Sequence, residues 1–276
     1  MSADLPAGMA DPFEANIASL LAHYGGIPGG EIADTPAVRV STTNQASRTL
    51  NAASVAILPA DKQFLIRTTI AATLDFFARR GQPWRWIVGS TSQPDGLGDE
   101  LVAAGLVLGA EVPTMSLSLD GRLPDPDGPA GLDVREVEEA ASFEAWIEVQ
   151  RSGLEFPPRA AEAWEAVHRA LGWSRGLPLR NYVGLIGDRP VGAAALYLGG
   201  VAGGEDVAGI YNVATIPEAR GMGIARALTL AALRDGQAAG RHVASLGSSP
   251  MGLSVYHRLG FVEVGRLRWY TTPEWR

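Results

Sequence analysis

The segment Val213-Ala-Thr-Ile-Pro-Glu-Ala-Arg-Gly-Met-Gly-Ile-Ala-Arg-Ala-Leu228 constrains this chain more than any other. It reads as the end of a strand, Val207–Thr215, a tight glycine-containing turn, and a long helix over Ala219–Ala239. The first turn of a helix leaves four backbone N–H groups without intrahelical partners. Those donors and the helix dipole form an anion site. Gly221 and Gly223 remove side chains where an anion must approach the backbone. Arg220 can add a charge-assisted hydrogen bond. A diphosphate fits this arrangement best. A dinucleotide fingerprint requires a third glycine where Arg226 stands, and a P-loop requires a Gly-Lys-Ser/Thr ending that is missing. Two glycines in such a turn also suit a purely structural bend, so the residues alone leave both readings open.

The surrounding sequence alternates between strand and helix patterns. In the second half, strands are expected over Leu132–Val137, Arg180–Ile186, Val191–Leu198, His242–Leu246, Phe261–Val264 and Leu267–Tyr270, and helices over Glu138–Gln150, Ala160–Leu171 and Pro250–Leu259. A flexible hairpin tip is expected at Gly199–Gly204. In the first half, helices are expected over Pro12–Tyr24, Lys62–Arg79 and Asp95–Ala104. Strands are expected over Val38–Val40, Ala53–Leu58, Trp84–Val88 and Met115–Leu119. This order implies a layered α/β fold, with a mixed central sheet flanked by helices rather than a bundle or a sandwich. Asp120–Gly131 is rich in proline and glycine and is the strongest candidate linker. It divides the chain into 12–120 and 132–276, and 276 residues are ample for two cores.

Composition narrows the chemistry. Lys+Arg number 23 against 30 Asp+Glu, a formal net charge of −7, which does not favour nucleic acid as a partner. Lys62 is the only lysine, which argues against lysine chemistry elsewhere. Without cysteine there is no disulfide, thiolate nucleophile or zinc–thiolate site. His168, His242 and His257 have no metal-ligand company and read as structural or surface residues; no metal is expected. Met1–Ala10 is expected to fray and lacks the basic run and apolar core of a signal peptide. No stretch reaches membrane-spanning length, so no membrane partner and a cytoplasmic location are expected.

The glycine turn acquires a specific meaning from a second motif. The first segment resembles the acetyl-CoA motif of the GNAT superfamily of N-acetyltransferases, V-x-P-x-x-R-G-x-G-[IV]-[GA]. Pro217, Arg220, Gly221, Gly223, Ile224 and Ala225 match it, and Thr215 stands where Val is usual. Downstream, Ser249-Pro-Met-Gly-Leu-Ser-Val-Tyr256-His-Arg-Leu-Gly260-Phe261 is similar to the family's N-x-x-A-x-x-[LF]-Y-x-x-x-G-F, with Ser249 for Asn and Gly252 for Ala. The resemblance covers roughly 132–270. It implies a GNAT-like acyl-CoA N-acyltransferase fold using acetyl-CoA. Arg220, Gly221, Met222, Gly223, Ile224 and Ala225 would hold the pyrophosphate through their backbone. Val213, Ala214 and Thr215 would run beside the pantetheine arm, splayed from the following strand. An N–H near Val213 or Ala214 would polarise the acyl carbonyl. Tyr256 would protonate the departing thiolate, and Ser249 would reach the pantetheine less far than Asn does.

The first half, with Gly81-x-Pro-Trp84-x-Trp86, Asp95 to Leu106 and Met115–Leu119, resembles the degenerate first repeat of tandem GNAT proteins. It lacks the R-G-x-G turn. On the acceptor side, the amine must be neutral to attack. Glu148, Glu155 or Glu144 could serve as the base, with Glu148 preferred. Asn212 could orient acceptor or water, and Trp146, Phe156 and Trp164 could form an apolar wall. The implied partners are acetyl-CoA and an amine, in a monomer or homodimer. A non-catalytic acyl-CoA-binding module, or another acyl-CoA-fold activity such as aminoacyl or N-myristoyl-like transfer, fits the same motifs.

Overall fold

The computed structural model describes residues 11–125, 128–173, 176–200 and 206–275. The expected fraying of Met1–Ala10 and most of the expected hairpin tip lie outside them. The chain begins with helix α1 (Pro12–Gly25), on which Phe13, Ile17, Leu20, Leu21 and Tyr24 are buried at helical spacing. Asp11 caps it by accepting the Phe13 N–H at 3.0 Å. Strands β1 (Glu31–Asp34), β2 (Arg39–Thr42) and β3 (Asn51–Ser54) follow, then α2 (Gln63–Ala78), β4 (Arg85–Val88), α3 (Leu97–Ala103) and β5 (Val107–Ser118). Next come β6 (Leu132–Glu136), α4 (Ala140–Gly153), α5 (Pro158–Leu171), β7 (Leu179–Ile186), β8 (Arg189–Tyr197) and β9 (Val207–Thr215). The chain ends with α6 (Ile224–Ala238), β10 (Val243–Gly247), α7 (Leu253–Leu259) and β11 (Val262–Thr271).

Four departures from the expected pattern have local causes. β1 escaped notice because it is short, mostly exposed and follows a glycine- and proline-rich run. β5 begins eight residues before the expected strand and runs through Pro113, a residue that cannot donate to a ladder. The long helix starts at Ile224 rather than Ala219, because Pro217–Ala219 forms a 3₁₀ turn and Gly221 and Gly223 adopt φ of 80° and 85°. The two expected terminal strands are one, since Gly265 continues the extended backbone of β11.

The chain packs as two compact units, each discontinuous in sequence. The first comprises the described residues up to Asn16, Thr114–Phe156 and Gly172–Val264. Its mixed sheet runs β6-β7-β8-β9-β10, with the end of β5 beside β10: β6 to β9 are antiparallel neighbours, β9 and β10 are parallel, and Thr114–Ser118 pairs antiparallel with β10. α4 and α6 pack on this sheet. The prolines and glycines of 120–131 form no strand or helix among the described residues. Arg234 and Gln237 of α6 donate to the carbonyls of Pro124 and Gly121 at 2.6 and 2.9 Å.

The second unit comprises Ile17–Pro113, Pro157–Leu171 and Gly265–Arg276. Its sheet runs β1-β2-β3-β4, with Arg268–Tyr270 of β11 antiparallel to β4. The core gathers Ile66, Ile70, Phe77, Trp84, Trp86 and Leu101, with the Phe77 and Trp84 rings stacked at 4.2 Å. On α5 of this unit, the buried His168 stacks on Trp164 at 3.7 Å. Its Nδ1 lies 2.8 Å from the Trp164 carbonyl, which only accepts, so Nε2 is the acceptor for the Tyr24 hydroxyl at 3.3 Å. His168 is thus a core residue. His242 is exposed and lies 2.6 Å from Asp120, and His257 is exposed as well.

Candidate active site

β9, the turn after it and α6 form one continuous unit. Gly223, in the left-handed region, stands at the N-cap of α6, and no side chain caps that end. The first helical bond, Ala227 N–H to Gly223 O at 3.1 Å, leaves the donors before it directed out of the helix. A Cβ built on Gly221 or Gly223 would meet nothing within 4 Å. Their role is therefore conformational, and the space beside them is open. Arg220, Met222 and both glycines are exposed, whereas Ile224 is buried and anchors the helix. An anion fits this cradle.

The Arg220 guanidinium faces sideways. It approaches the carbonyls of Thr215 and Gly153 at 3.4 and 3.5 Å and pairs with Glu155 at 2.8 Å. Glu155, read from the sequence as a possible base, is thereby joined to the turn. Arg220 staples the end of α4 to the end of β9.

Beside the cradle the sheet opens. β9 and β10 pair only over Val207–Gly209 and Val243–Ser245, although β9 continues to Thr215 and β10 to Gly247. Beyond Gly209 the edge of β9 is left without a β10 partner among the described residues. The Ile216 N–H bonds Val191 O at 3.1 Å, and Ala214 pairs with Ala193. By antiparallel alternation, the Ala214 N–H also faces β8, and those of Val213 and Thr215 face the opening.

Tyr256 lies on α7, after β10. It is 8% exposed, its ring meets Phe261 edge-on at 5.8 Å, and its hydroxyl makes no hydrogen bond among the described residues. Burial pushes its pKa up to about 12. The Ser249 hydroxyl accepts the Gly252 N–H at 3.2 Å, so it caps the turn into α7. Asn212 is a non-glycine residue at φ 52°, and its carbonyl accepts from Gln150 Nε2 at 2.7 Å. Glu148 is exposed, while Gln150, two residues on, is buried; helical geometry puts them on opposite sides of α4. Glu144 is exposed too. Trp146 and Trp164 are buried core residues in different units rather than a cleft wall. Trp146 donates to Ala194 O at 3.0 Å. Gln150 was missed in the sequence, although a polar residue four positions after Trp146, on the buried face of its helix, is a readable signal. Also missed were the contacts that the start of α1 makes with β9: Phe13 stacks on Tyr211 at 5.6 Å, and the Tyr211 hydroxyl donates to Asn16 at 2.7 Å.

Residues 143–261 match the model of the Acetyltransferase (GNAT) family. This stretch is a GNAT acetyltransferase domain. The match includes β9, the glycine turn, α6 and Tyr256. There is no match among curated proteins. Among solved structures, the fold is similar to a GCN5-related N-acetyltransferase from Kribbella flavida, at 19% identity and TM-score 0.73, covering 94% of this chain and 95% of that one. It is also similar to a GCN5-related N-acetyltransferase from Sphaerobacter thermophilus, at 16% identity and TM-score 0.63, covering 98% and 94%. A tandem GNAT protein from the clavulanic acid biosynthesis pathway matches at 15% identity and TM-score 0.58, covering 85% and 78%. These likenesses extend the GNAT fold beyond the matched segment. Among the described residues, no group of three or more His, Asp or Glu side chains is placed to hold a metal, and no helix is long and apolar enough to cross a membrane.

Proposed function

We propose that the GNAT domain moves an acetyl group from acetyl-CoA to a primary amine by direct attack in a ternary complex. The observation that carries this reading is the end of the β9–β10 ladder at Gly209 and Ser245, directly beside a helix N-terminus whose donors are open. The backbone of Arg220–Ala225 suits a pyrophosphate. The opening along β9 suits an extended arm that ends in a thioester.

The neutral amine attacks the carbonyl carbon. A C–N bond forms, the C–S bond breaks, and the nitrogen loses a proton. The Val213 N–H, facing the opening, would stabilise the charge gathering on the carbonyl oxygen. Tyr256 remains protonated at neutral pH and would donate to the leaving sulfur. Glu148 and Asn212 are the proposed acceptor-side groups. Glu148 faces solvent, so a proton would reach it through water. In this reading Ser249 supports the α7 turn and contributes little to pantetheine binding.

The test is thiol release from acetyl-CoA across a panel of small-molecule amines, peptide N-termini and lysine side chains. Amine-dependent release at one to one with acylated product supports the proposal. Acetyl-CoA binding without release from any amine would overturn it and leave a binding module.

A further inference from the structure

The strand beside the opening is irregular at one point. The β8–β9 register slips by one residue between the pairs Ala193–Ala214 and Ala195–Tyr211, so Asn212 and Val213 together face Ala194. This is a β-bulge, and Asn212 at φ 52° is its left-handed residue. Asparagine tolerates that conformation better than most side chains. A bulge breaks the ladder and leaves backbone groups of the bulged strand unpaired by the neighbouring strand.

Two side chains of one helix take up carbonyls at this point. Trp146 Nε1 donates to Ala194 O at 3.0 Å, and Gln150 Nε2 donates to Asn212 O at 2.7 Å. They stand four residues apart on α4, hence on one face, and are 0% and 1% exposed. One turn further, Gly153 lies so close to β9 that a Cβ there would sit 2.9 Å from Ala214 Cβ and 3.3 Å from Thr215 N. The same face of α4 therefore follows the bulge on both strands and continues along β9. Val213, whose N–H faces the opening, is bracketed by the gripped Asn212 carbonyl and the residues against Gly153.

We propose that Trp146 and Gln150 are positioning residues: they clamp the bulge so that the Val213 N–H is aimed at the acyl carbonyl. This rests on the acetyl-transfer reading above. Neither residue touches the reacting atoms; both act through the backbone of β9. Freed of the clamp, the bulge can migrate or relax, and the donor loses its aim while the diphosphate cradle, on the turn beyond β9, stays intact.

The experiment compares full-length wild type with Gln150→Met, which keeps length and removes the donor, and with Trp146→Phe as the second variant. Four readouts are taken on each preparation: melting temperature, acetyl-CoA Kd, kcat with the best amine, and the infrared carbonyl band of ¹³C-acetyl-CoA bound without amine. Each variant is expected to bind acetyl-CoA within about 2-fold of wild type and to lose roughly 10- to 100-fold in kcat, somewhat less than deleting an oxyanion donor outright. The carbonyl band should move toward its frequency in free acetyl-CoA, a change that loss of stability alone does not cause. Wild-type kcat and an unshifted band in whichever variant folds would overturn the clamp. Wild type that neither binds acetyl-CoA nor releases thiol would overturn the acetyl-transfer reading instead.

Discussion

Tyr256 is the side chain whose chemistry is best defined by its surroundings. Burial raises its pKa to about 12, above the ordinary 10.0, because the phenolate would lose hydration. A group with that value stays protonated through the whole range in which amines become nucleophilic. Any loss of rate at alkaline pH below about 11 should therefore persist in Tyr256→Phe. The same substitution is expected to preserve fold and acetyl-CoA affinity while lowering kcat by roughly 10-fold or more, the low end of positioned acid catalysis, since water can substitute as donor. Melting temperature, Kd and kcat on one preparation separate this from a packing role, which would lower the melting temperature and spare kcat. The proposed cradle residues and Tyr256 were singled out in the sequence because each sits at fixed spacing in a motif. The aim of the Arg220 guanidinium was not. It is set chiefly by Glu155 and the Gly153 carbonyl, which come from a distant part of the chain.

At the scale of elements, periodicity revealed most helices and strands, and its failures were physical. β1 carries no apolar alternation, and β5 runs through Pro113. The bulge in β9 left no mark except an asparagine, because a register slip is a relation between strands. Helix α5 offers a test that does not involve the site. Burial lowers the His168 pKa from 6.5 to about 4. The unfolded chain then binds more protons between those values. The stability that neutral His168 contributes is complete above about pH 6.5 and is lost as the pH falls toward 4. The shift corresponds to on the order of 3 kcal/mol. His23 is lowered by burial as well and acts in the same direction. Melting temperatures from pH 7 to pH 4 should fall more steeply for wild type than for His168→Gln, although the variant starts lower. Parallel curves would show that His168 is protonated in the fold without cost.

For the whole molecule, sequence order and packing order differ. Thr114–Ser118 completes the sheet of the unit that holds the cradle, and Arg268–Tyr270 completes the sheet of the other. The proline- and glycine-rich run at 120–131 marked a candidate linker, but which strands the edges pair with was not legible, since pairing depends on partners far away in the chain. A fragment of 128–276 lacks the strand beside β10 and the Phe13 and Asn16 contacts to Tyr211. It is expected to expose the β10 edge and aggregate, as unpaired edges do. A fragment beginning near residue 107 is expected to be more soluble. Equal solubility and equal melting temperature for the two would show that β5 adds nothing to that sheet. The central claim, that the turn before α6 holds the pyrophosphate of an acyl-CoA, is tested most directly by calorimetric titration of acetyl-CoA into wild type, Gly223→Asn and Gly223→Asp. Asparagine and aspartate are alike in size and both enter the left-handed region, so their difference isolates charge at the helix N-terminus. The account predicts measurable binding to wild type, weaker binding to the Asn variant, and at least a further 10-fold loss, roughly 1.4 kcal/mol, in a folded Asp variant. Equal affinity across all three proteins would contradict it.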